Sequence, residues 1–260
     1  IPAGVVNVVT GKGSQVGQAL VEHPDVDKIA FTGSSAVGLH IQQSCTQVKR
    51  LSLELGGNCP MIVTQSADLA LAVKGAARRG FRNAGQICIA VNRIYVARSL
   101  YEDFVRELGA AADKLTVADG LQTPDADLGA MASGEPLGKT QDHIADALAK
   151  GARLVAGGRA PEGDAYAAGF FFRPTVVADC THDMKVMTEE TFGPLIGVMP
   201  FDTLEEAIAL ANDTPYGLAS YLYARDMVDI QTVSAGLDYG NVAINNVDAG
   251  IMNAPVSYTH

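Results

Sequence analysis

The sequence predicts an α/β fold built from βαβ units around a mostly parallel sheet. Short runs of β-branched and apolar residues alternate with segments whose apolar residues recur at helical spacing. Helical segments of about ten to fifteen residues separate many of these runs, which is typical of parallel βαβ units. Hydrophobic residues make up 48% of the 260 residues and charged residues 18%, so the chain can bury a substantial core.

Strands are predicted where β-branched and apolar residues cluster between turn signals. In chain order they cover residues 5–9, 28–31, 50–55, 61–63, 93–97, 153–155, 171–177, 195–201, 219–224 and 241–244. Helices are predicted where apolar residues recur about every 3.6 positions. They cover residues 16–22, 37–44, 68–81, 100–115, 143–150, 204–211 and 227–235. Residues 116–138 are rich in Gly, Asp and Pro, and we expect a surface loop there.

Composition argues against several classes of protein. The formal net charge of −10 argues against a nucleic-acid partner, because no excess of Lys and Arg is available to neutralise phosphates. The sequence has no apolar run long enough to predict a membrane span. Its four cysteines, which lack paired spacing, predict neither a metal site nor a disulfide framework. We therefore expect a reduced, cytoplasmic protein, with Cys45, Cys59 and Cys180 as small buried hydrophobes.

Two glycine-containing turns each follow a predicted strand and open a predicted helix. Residues 10–17 have G-x-G-x-x-x-G spacing instead of the Rossmann G-x-G-x-x-G, which favours an ordinary βα turn. The turn at Gly33 and Ser34 is the stronger candidate for a phosphate site, because the next helix begins with unpaired N–H groups. Gly33 and Gly38 would allow close backbone approach. The alternative is a helix N-cap by Ser34 or Ser35.

Cys88 and Glu54, which lie 88 − 54 = 34 residues apart, form a candidate pair for covalent catalysis. Cys88 follows a Gly-Gln-Ile turn after a long predicted helix, and backbone amides in such a turn could stabilise a thiolate. Glu54 lies at the end of an apolar strand, where partial desolvation suits a general base. The alternatives are a buried hydrophobic cysteine and a solvent-exposed glutamate. The catalytic interpretation requires folding to bring both side chains into one cleft.

Four motifs together resemble those of the NAD(P)-dependent aldehyde dehydrogenases, in the order and at the spacing of that family. They are Phe-Thr-Gly-Ser at 31–34, Leu-Glu-Leu-Gly-Gly at 53–57, Gly-Gln-Ile-Cys at 85–88 and Glu-Glu-Thr-Phe-Gly-Pro at 189–194. The resemblance covers residues 1–255. It implies that residues 1–56 are the C-terminal half of a Rossmann-like cofactor-binding domain, and that residues 57–255 are a nearly complete catalytic domain.

The resemblance implies a role for each of these residues. Cys88 would attack the aldehyde to give a thiohemiacetal and then a thioester, and Glu54 would activate the water that hydrolyses the thioester. The cofactor would be NAD or NADP, with Ser34 at its pyrophosphate, Glu190 at the nicotinamide ribose and Phe192 near the nicotinamide. Gly33, Gly38 and Leu55 complete the implied cofactor contacts. Without the motif, Glu190 reads as an exposed helix cap and Phe192 as a core aromatic.

Further similarity points to the succinate-semialdehyde dehydrogenase branch. It covers residues 81–86, 141–148 and 216–221 and implies that Arg82 binds the distal carboxylate of the substrate through its guanidinium fork. The alternative is a surface arginine at a helix end. Ala90 and Gly250 depart from the branch, and residues 246–255 look more like other branches. We therefore expect a small semialdehyde or hydroxyaldehyde as substrate.

Two other functions remain as alternatives. A CoA-acylating semialdehyde dehydrogenase would also use Cys88, but that branch usually lacks the glutamate at the position of Glu54. A non-catalytic, crystallin-like relative tends to lose the nucleophile or the cofactor contacts, whereas Cys88, Glu54 and Glu190 are all present.

The chain ends suggest an internal fragment. The chain starts at Ile1 without methionine, and residues 256–260 do not continue the preceding pattern, so we interpret them as an assembly artefact. The family's oxyanion-hole asparagine and its adenosine-ribose lysine would lie upstream of Ile1. We expect the chain alone neither to oxidise aldehyde nor to bind NAD well. The full-length protein is expected to be a homo-oligomer, either a dimer or a tetramer.

Overall fold

The computed structural model describes residues 1–247. Gly250, the run at 248–255 and the tail at 256–260 lie outside the described residues. The chain divides into two compact units between Gly56 and Gly57. The predicted α/β class with a mostly parallel sheet is confirmed.

The first unit contains a two-stranded parallel sheet and two α-helices. Its elements are a π-helical turn at Gly13–Gly17, α1 (Gln18–Glu22), β1 (Lys28–Thr32), α2 (Ser35–Ser44) and β2 (Arg50–Glu54). The strand predicted at 5–9 is wrong, because no described strand pairs with it and its four valines are 64–85% exposed. Residues 10–17 are therefore not a βα turn.

The second unit contains a seven-stranded sheet in the described residues. Its strands are β3 (Cys59–Val63), β4 (Val91–Ala97), β5 (Arg153–Ala156), β6 (Thr175–Ala178), β7 (Leu195–Phe201), β8 (Ser220–Tyr223) and β9 (Val242–Ile244). They lie in the order β5-β6-β7-β4-β3-β8-β9, and each pair of neighbours is parallel except β5 and β6. The strand predicted at 171–177 begins only at Thr175.

Six α-helices accompany this sheet in the described residues. They are α3 (Leu69–Phe81), α4 (Tyr101–Lys114), α5 (Gly134–Ala149), α6 (Lys185–Thr188), α7 (Leu204–Asn212) and α8 (Met227–Gly236), with 3₁₀ turns at Arg82–Gly85, Arg98–Leu100 and Asp164–Tyr166. The loop predicted at 116–138 is too long, because α5 already begins at Gly134. Its first turn contains Gly134 and Pro136, which hide the helix in the sequence although proline is tolerated there.

Helices cover both faces of the seven-stranded sheet. Consecutive residues of a strand point to opposite faces. Ile196 of β7 packs against Gly80 of α3, whereas its neighbour Gly197 packs against Val186 and Met187 of α6. Because β3 and β4 lie at the centre of the sheet, they are buried along their whole length. These buried central strands fix the positions of the loops that precede them.

Candidate functional site

Three loops of the second unit meet at the amino-terminal edge of its sheet. The strands β7, β4 and β3 are parallel neighbours, so the residues that precede them lie side by side. A methyl group on Gly57 would come within 2.0 Å of the carbonyl oxygen of Cys88. One on Gly85 would come equally close, at 2.0 Å, to the carbonyl oxygen of Gly193. The loops therefore touch through their backbones, which only glycine permits at these two positions.

A left-handed turn presents Cys88. Asn83 and Ala84 have φ values of 54° and 53°, and Gly85 follows with φ +70°. The Asn83 side chain donates to the carbonyl oxygen of Gln86 at 3.1 Å, and the Gln86 side chain donates to the carbonyl oxygen of Asn83 at 3.0 Å. The Gln86 side-chain oxygen also accepts the N–H of Ala132 at 2.9 Å. These hydrogen bonds hold Asn83 and Ala84 in the left-handed region, which non-glycine residues disfavour. Gln86 therefore stabilises the turn.

The cysteines differ in burial. Cys59 and Cys180 are buried, as predicted, and burial raises the pKa of each thiol to about 12. Cys88 is only half-buried. Cys45 is half-buried as well, so its predicted burial is wrong; its S–H donates to the Ile41 carbonyl at 3.2 Å at the end of α2. Among the described cysteines of the second unit, Cys88 is the one that is not fully buried.

Glu190 connects the loop before β7 to the loop before β3. Its Oε1 accepts the backbone N–H of Gly57 at 2.9 Å. Burial raises the pKa of the Glu190 carboxyl, while the bond from Gly57 and the charge of Lys139 oppose that rise. The interpretation as an exposed helix cap is wrong, because Glu190 is half-buried and α6 has ended at Thr188.

Phe192 projects from the same loop with an unusual backbone. Its φ is 54°, and the residue is 38% exposed. The interpretation as a core aromatic is therefore wrong. A bulky residue in the left-handed region costs energy, and such residues concentrate at functional sites.

Arg82 lines a cavity of about 820 Å³ between α3 and α4. Lys74, Arg78 and Lys114 lie in the same lining, together with the acidic residues Glu107 and Asp127. The floor is apolar and includes Val73, Phe81 and Leu128. Arg82 itself is exposed, and its backbone N–H bonds the carbonyl of Arg78 at the end of α3. Four cations against two carboxylates favour an anionic ligand.

The start of α2 in the first unit is a candidate anion site. Ser34 caps this helix, its Oγ accepting the N–H of Val37 at 3.3 Å, as the alternative interpretation predicts. The buried Ser35 Oγ has no hydrogen-bond partner in the part of the chain that the structure describes. The first turn of α2 contains no acidic residue. The residues present therefore fit a phosphate group, which would meet N–H groups and an unused hydroxyl.

The other residues predicted in the first unit lie around the end of β2. Glu54 is half-buried, and its carbonyl accepts the N–H of Gly33 at 3.0 Å. Leu55 packs directly against Gly38 of α2. Glu54 belongs to the first unit and Cys88 to the second, and their approach in one cleft stays a prediction.

Residues 1–247 contain no cluster of three or more His, Cys, Asp or Glu side chains placed to bind a metal ion. Over the same residues, every helix is too short or too polar to cross a membrane.

The chain matches known proteins along almost its whole length. The model of the aldehyde dehydrogenase family matches residues 1–257. The 3-sulfolactaldehyde dehydrogenase of Pseudomonas putida is 47% identical over 256 residues, which are 98% of this chain and 52% of that protein. The NADP(+)-dependent succinate-semialdehyde dehydrogenase GabD of Escherichia coli K12 is 46% identical over 246 residues, which are 94% of this chain and 50% of that protein.

A crystal structure described as an E. coli NADP-dependent enzyme superposes with a TM-score of 0.93 at 44% identity. The superposed region comprises 99% of this chain and 53% of the chain in that structure. The chain thus spans about half the length of the proteins it matches.

Proposed function

The chain belongs to the aldehyde dehydrogenase family, and from this membership we propose that it forms part of an enzyme that oxidises a small anionic aldehyde to its carboxylic acid with NAD or NADP. Residues 1–56 would be the C-terminal half of the cofactor-binding domain, and residues 57–255 most of the catalytic domain. The observation that carries the proposal is the half-buried Cys88 on a rigid turn, in a unit whose two other cysteines are buried.

The reaction starts at Cys88. Its thiolate attacks the aldehyde carbon to form a thiohemiacetal, and loss of hydride from that carbon leaves a thioester on the same sulfur. Bound NAD or NADP supplies the hydride acceptor. Glu54 then takes a proton from water, which attacks the thioester carbonyl and releases the acid and the Cys88 thiolate. The half-buried environment of Glu54 is compatible with this function.

The remaining residues would bind and orient the cofactor. The start of α2, with Ser34 between Gly33 and Gly38, would hold the pyrophosphate, and the unpartnered Ser35 hydroxyl supports an anion there. Leu55 would lie beside the cofactor, Glu190 would accept from the nicotinamide ribose, and Phe192 would pack near the nicotinamide. Glu190 is held by the Gly57 N–H, and exposure of Phe192 leaves its ring available.

The cationic cavity supports an anionic substrate. The two relatives named above act, by their names, on aldehydes that carry a sulfonate or a carboxylate. Arg82 would bind such a group through its guanidinium fork, with Lys74, Arg78 and Lys114 in the same cavity adding positive charge. The substrate class is therefore a semialdehyde or a related small anionic aldehyde.

The test uses the full-length protein that contains this chain, assayed for aldehyde-dependent reduction of NAD and of NADP. Replacing Cys88 by Ala should abolish turnover, while Cys180→Ala should leave it largely unchanged because Cys180 is buried in the hydrophobic core. Glu54→Gln should slow the steady state by about 10²–10⁴-fold. It should retain an initial burst of reduced cofactor, since hydride leaves before water attacks.

The substrate class is tested by Arg82→Gln. We expect a KM increase of at least about tenfold for succinate semialdehyde and little change for a neutral aldehyde of similar length. Turnover by Cys88→Ala, or equal effects of Arg82→Gln on charged and neutral aldehydes, would contradict the corresponding part of the proposal. Size measurement by light scattering tests the proposed dimer or tetramer.

A further inference from the structure

A buried histidine lies directly beneath the loop that carries Glu190 and Phe192. His143, on α5, is 1% exposed. Its Nδ1 lies 3.0 Å from the hydroxyl of Thr191, which is itself fully buried. Its Nε2 is buried without a hydrogen-bond partner among the described residues, and the nearest carboxylate oxygen, on Glu189, is 3.5 Å away. The reaction described above does not use this imidazole.

The helix α5 supports this loop at two points one turn apart. His143 contacts Thr191, and Thr140 lies so close to Gly193 that a methyl group there would come within 1.9 Å of its hydroxyl. Thr140 and His143 lie three positions apart, which places them on one face of the helix. Phe192, with its left-handed backbone, lies between the two supported residues. An unfavourable conformation persists only where its surroundings hold it.

The charges around the ring determine its tautomer. A proton on Nδ1 would leave the lone pair of Nε2 facing the Glu189 carboxylate at 3.5 Å. A proton on Nε2 points towards that carboxylate instead, and Nδ1 then accepts the Thr191 hydroxyl. The Nε2–H tautomer is therefore favoured, and Thr191 is the donor.

We propose that His143 is a positioning residue: its neutral imidazole accepts the Thr191 hydroxyl and thereby fixes the backbone that presents Glu190 and Phe192 to the cofactor. The positioning of the loop follows from the described contacts, whereas its effect on the cofactor rests on the proposed function.

Acid should release this contact. A protonated imidazole cannot accept the Thr191 hydroxyl. The pKa of His143 is lowered, first by burial and then by Lys139, while Glu189 and Asp142 oppose the change. Asp142 is itself paired with Lys185 of α6. Because the unfolded chain binds this proton more readily, stability falls as the pH drops below about 6.5.

Hydrogen exchange on the full-length protein that contains this chain tests the positioning directly. His143→Leu keeps a similar volume but removes the acceptor, and we expect the amides of residues 189–193 to exchange about tenfold faster, while those of α8 stay unchanged. His143→Asn should change exchange less than about threefold, because its Oδ1 can take the place of Nδ1. Unchanged exchange at 189–193 in His143→Leu, or an equal rise throughout the chain, would overturn the proposal.

A second pair of variants avoids removing the ring. Thr191→Val should accelerate exchange at 189–193 as His143→Leu does, whereas Thr191→Ser should not, because serine keeps the hydroxyl. Nitrogen NMR of the imidazole should show a neutral Nε2–H form of His143 at pH 7. An Nδ1–H form, or equal behaviour of Val and Ser, would refute the assigned hydrogen bond.

The functional part is measured in the full-length dehydrogenase. His143→Leu should raise the cofactor KM about tenfold and change kcat less than about threefold, with His143→Asn restoring most of the loss. A loosened loop with an unchanged cofactor KM would overturn the cofactor part of the inference. If the unmodified protein shows no dehydrogenase activity, the proposed function fails, and the exchange and NMR measurements still decide whether His143 positions the loop.

Discussion

Cys59 and Cys88 lie at the amino ends of neighbouring strands, yet their surroundings differ. The Cys59 thiol is fully buried at the start of β3 and lies 3.5 Å from the carbonyl oxygen of Cys88. Burial, followed by the nearby Cys88 sulfur, raises the pKa of Cys59 to about 12. Cys88 lies on the turn that precedes β4, and it is only half-buried. Position relative to the sheet edge, and not residue type, separates an inert thiol from a candidate nucleophile.

The close backbone contacts of Gly57 and Gly85 maintain this difference. They let the Cys88 turn lie directly on the loops before β3 and β7, with no side chain between them. The loops before β3 and β7 therefore support this turn, while Cys88 on the turn is only half-buried. Alkylation, backbone crowding and relief of strain each probe this arrangement.

The largest expected effect is the selectivity of alkylation. At pH 7, a thiol with a pKa of about 12 is ionised in about one molecule in 10⁵. We expect iodoacetamide to modify Cys88 at least about a thousandfold faster than Cys59 or Cys180 in the folded chain. Peptide mass mapping over time measures the four rates separately.

Cys45 is the matched control for this experiment, because it is half-buried like Cys88 but lies at the end of α2. Faster labelling of Cys88 than of Cys45 indicates that the turn activates the thiol. If Cys59 were labelled as fast as Cys88 while the protein stayed folded, the proposed difference between the two thiols would be contradicted.

A smaller effect is expected when the backbone contact is crowded. Gly57→Ala places a methyl group 2.0 Å from a backbone oxygen that cannot move alone. We expect a loss of about 3 kcal/mol in the free energy of unfolding. Gly138→Ala is the control: it has open space in the exposed face of α5 and should stabilise by about 0.5–1 kcal/mol. Urea titrations measure both, and a loss below about 1 kcal/mol for Gly57→Ala would show that the loops separate easily.

The smallest effect concerns strain at Phe192. Phe192→Gly and Phe192→Ala both remove the ring, but only glycine adopts a φ of 54° without cost. We expect the glycine variant to be more stable than the alanine variant by about 1 kcal/mol in the same titrations. Equal stabilities would mean that the loop relaxes once the ring is removed, and that α5 does not hold it.

Local sequence patterns correctly predicted those strands and helices whose signal lies within their own residues. The buried runs that became β3, β4 and β7 and the amphipathic helices α3, α4 and α7 lie close to their predicted bounds. Residues 5–9 have the composition of a strand but no partner among the described strands, and a strand needs a partner for its backbone groups. The start of α5 was missed because glycine and proline in a first turn resemble a loop.

The candidate site was predicted only in part, for a related reason. The motif around Cys88 marked the thiol, the motif at 189–194 marked Glu190 and Phe192, and both motifs also indicated the family. No local signal marked the contact between Gly57 and Cys88, the bond from Gly57 to Glu190, or the support of Thr191 by His143. These contacts join residues 31, 133 and 48 positions apart (88 − 57, 190 − 57 and 191 − 143).

The sequence by itself determined the alternation of strands and helices, the family and the identity of the candidate nucleophile, because each depends on residues close together in the chain. The tertiary structure decided which cysteines are buried, which glycines allow the loops to touch and which histidine supports the loop at residues 189–193. Burial and close contact depend on the order and direction of the strands, and parallel strands bring together loops that are distant in sequence.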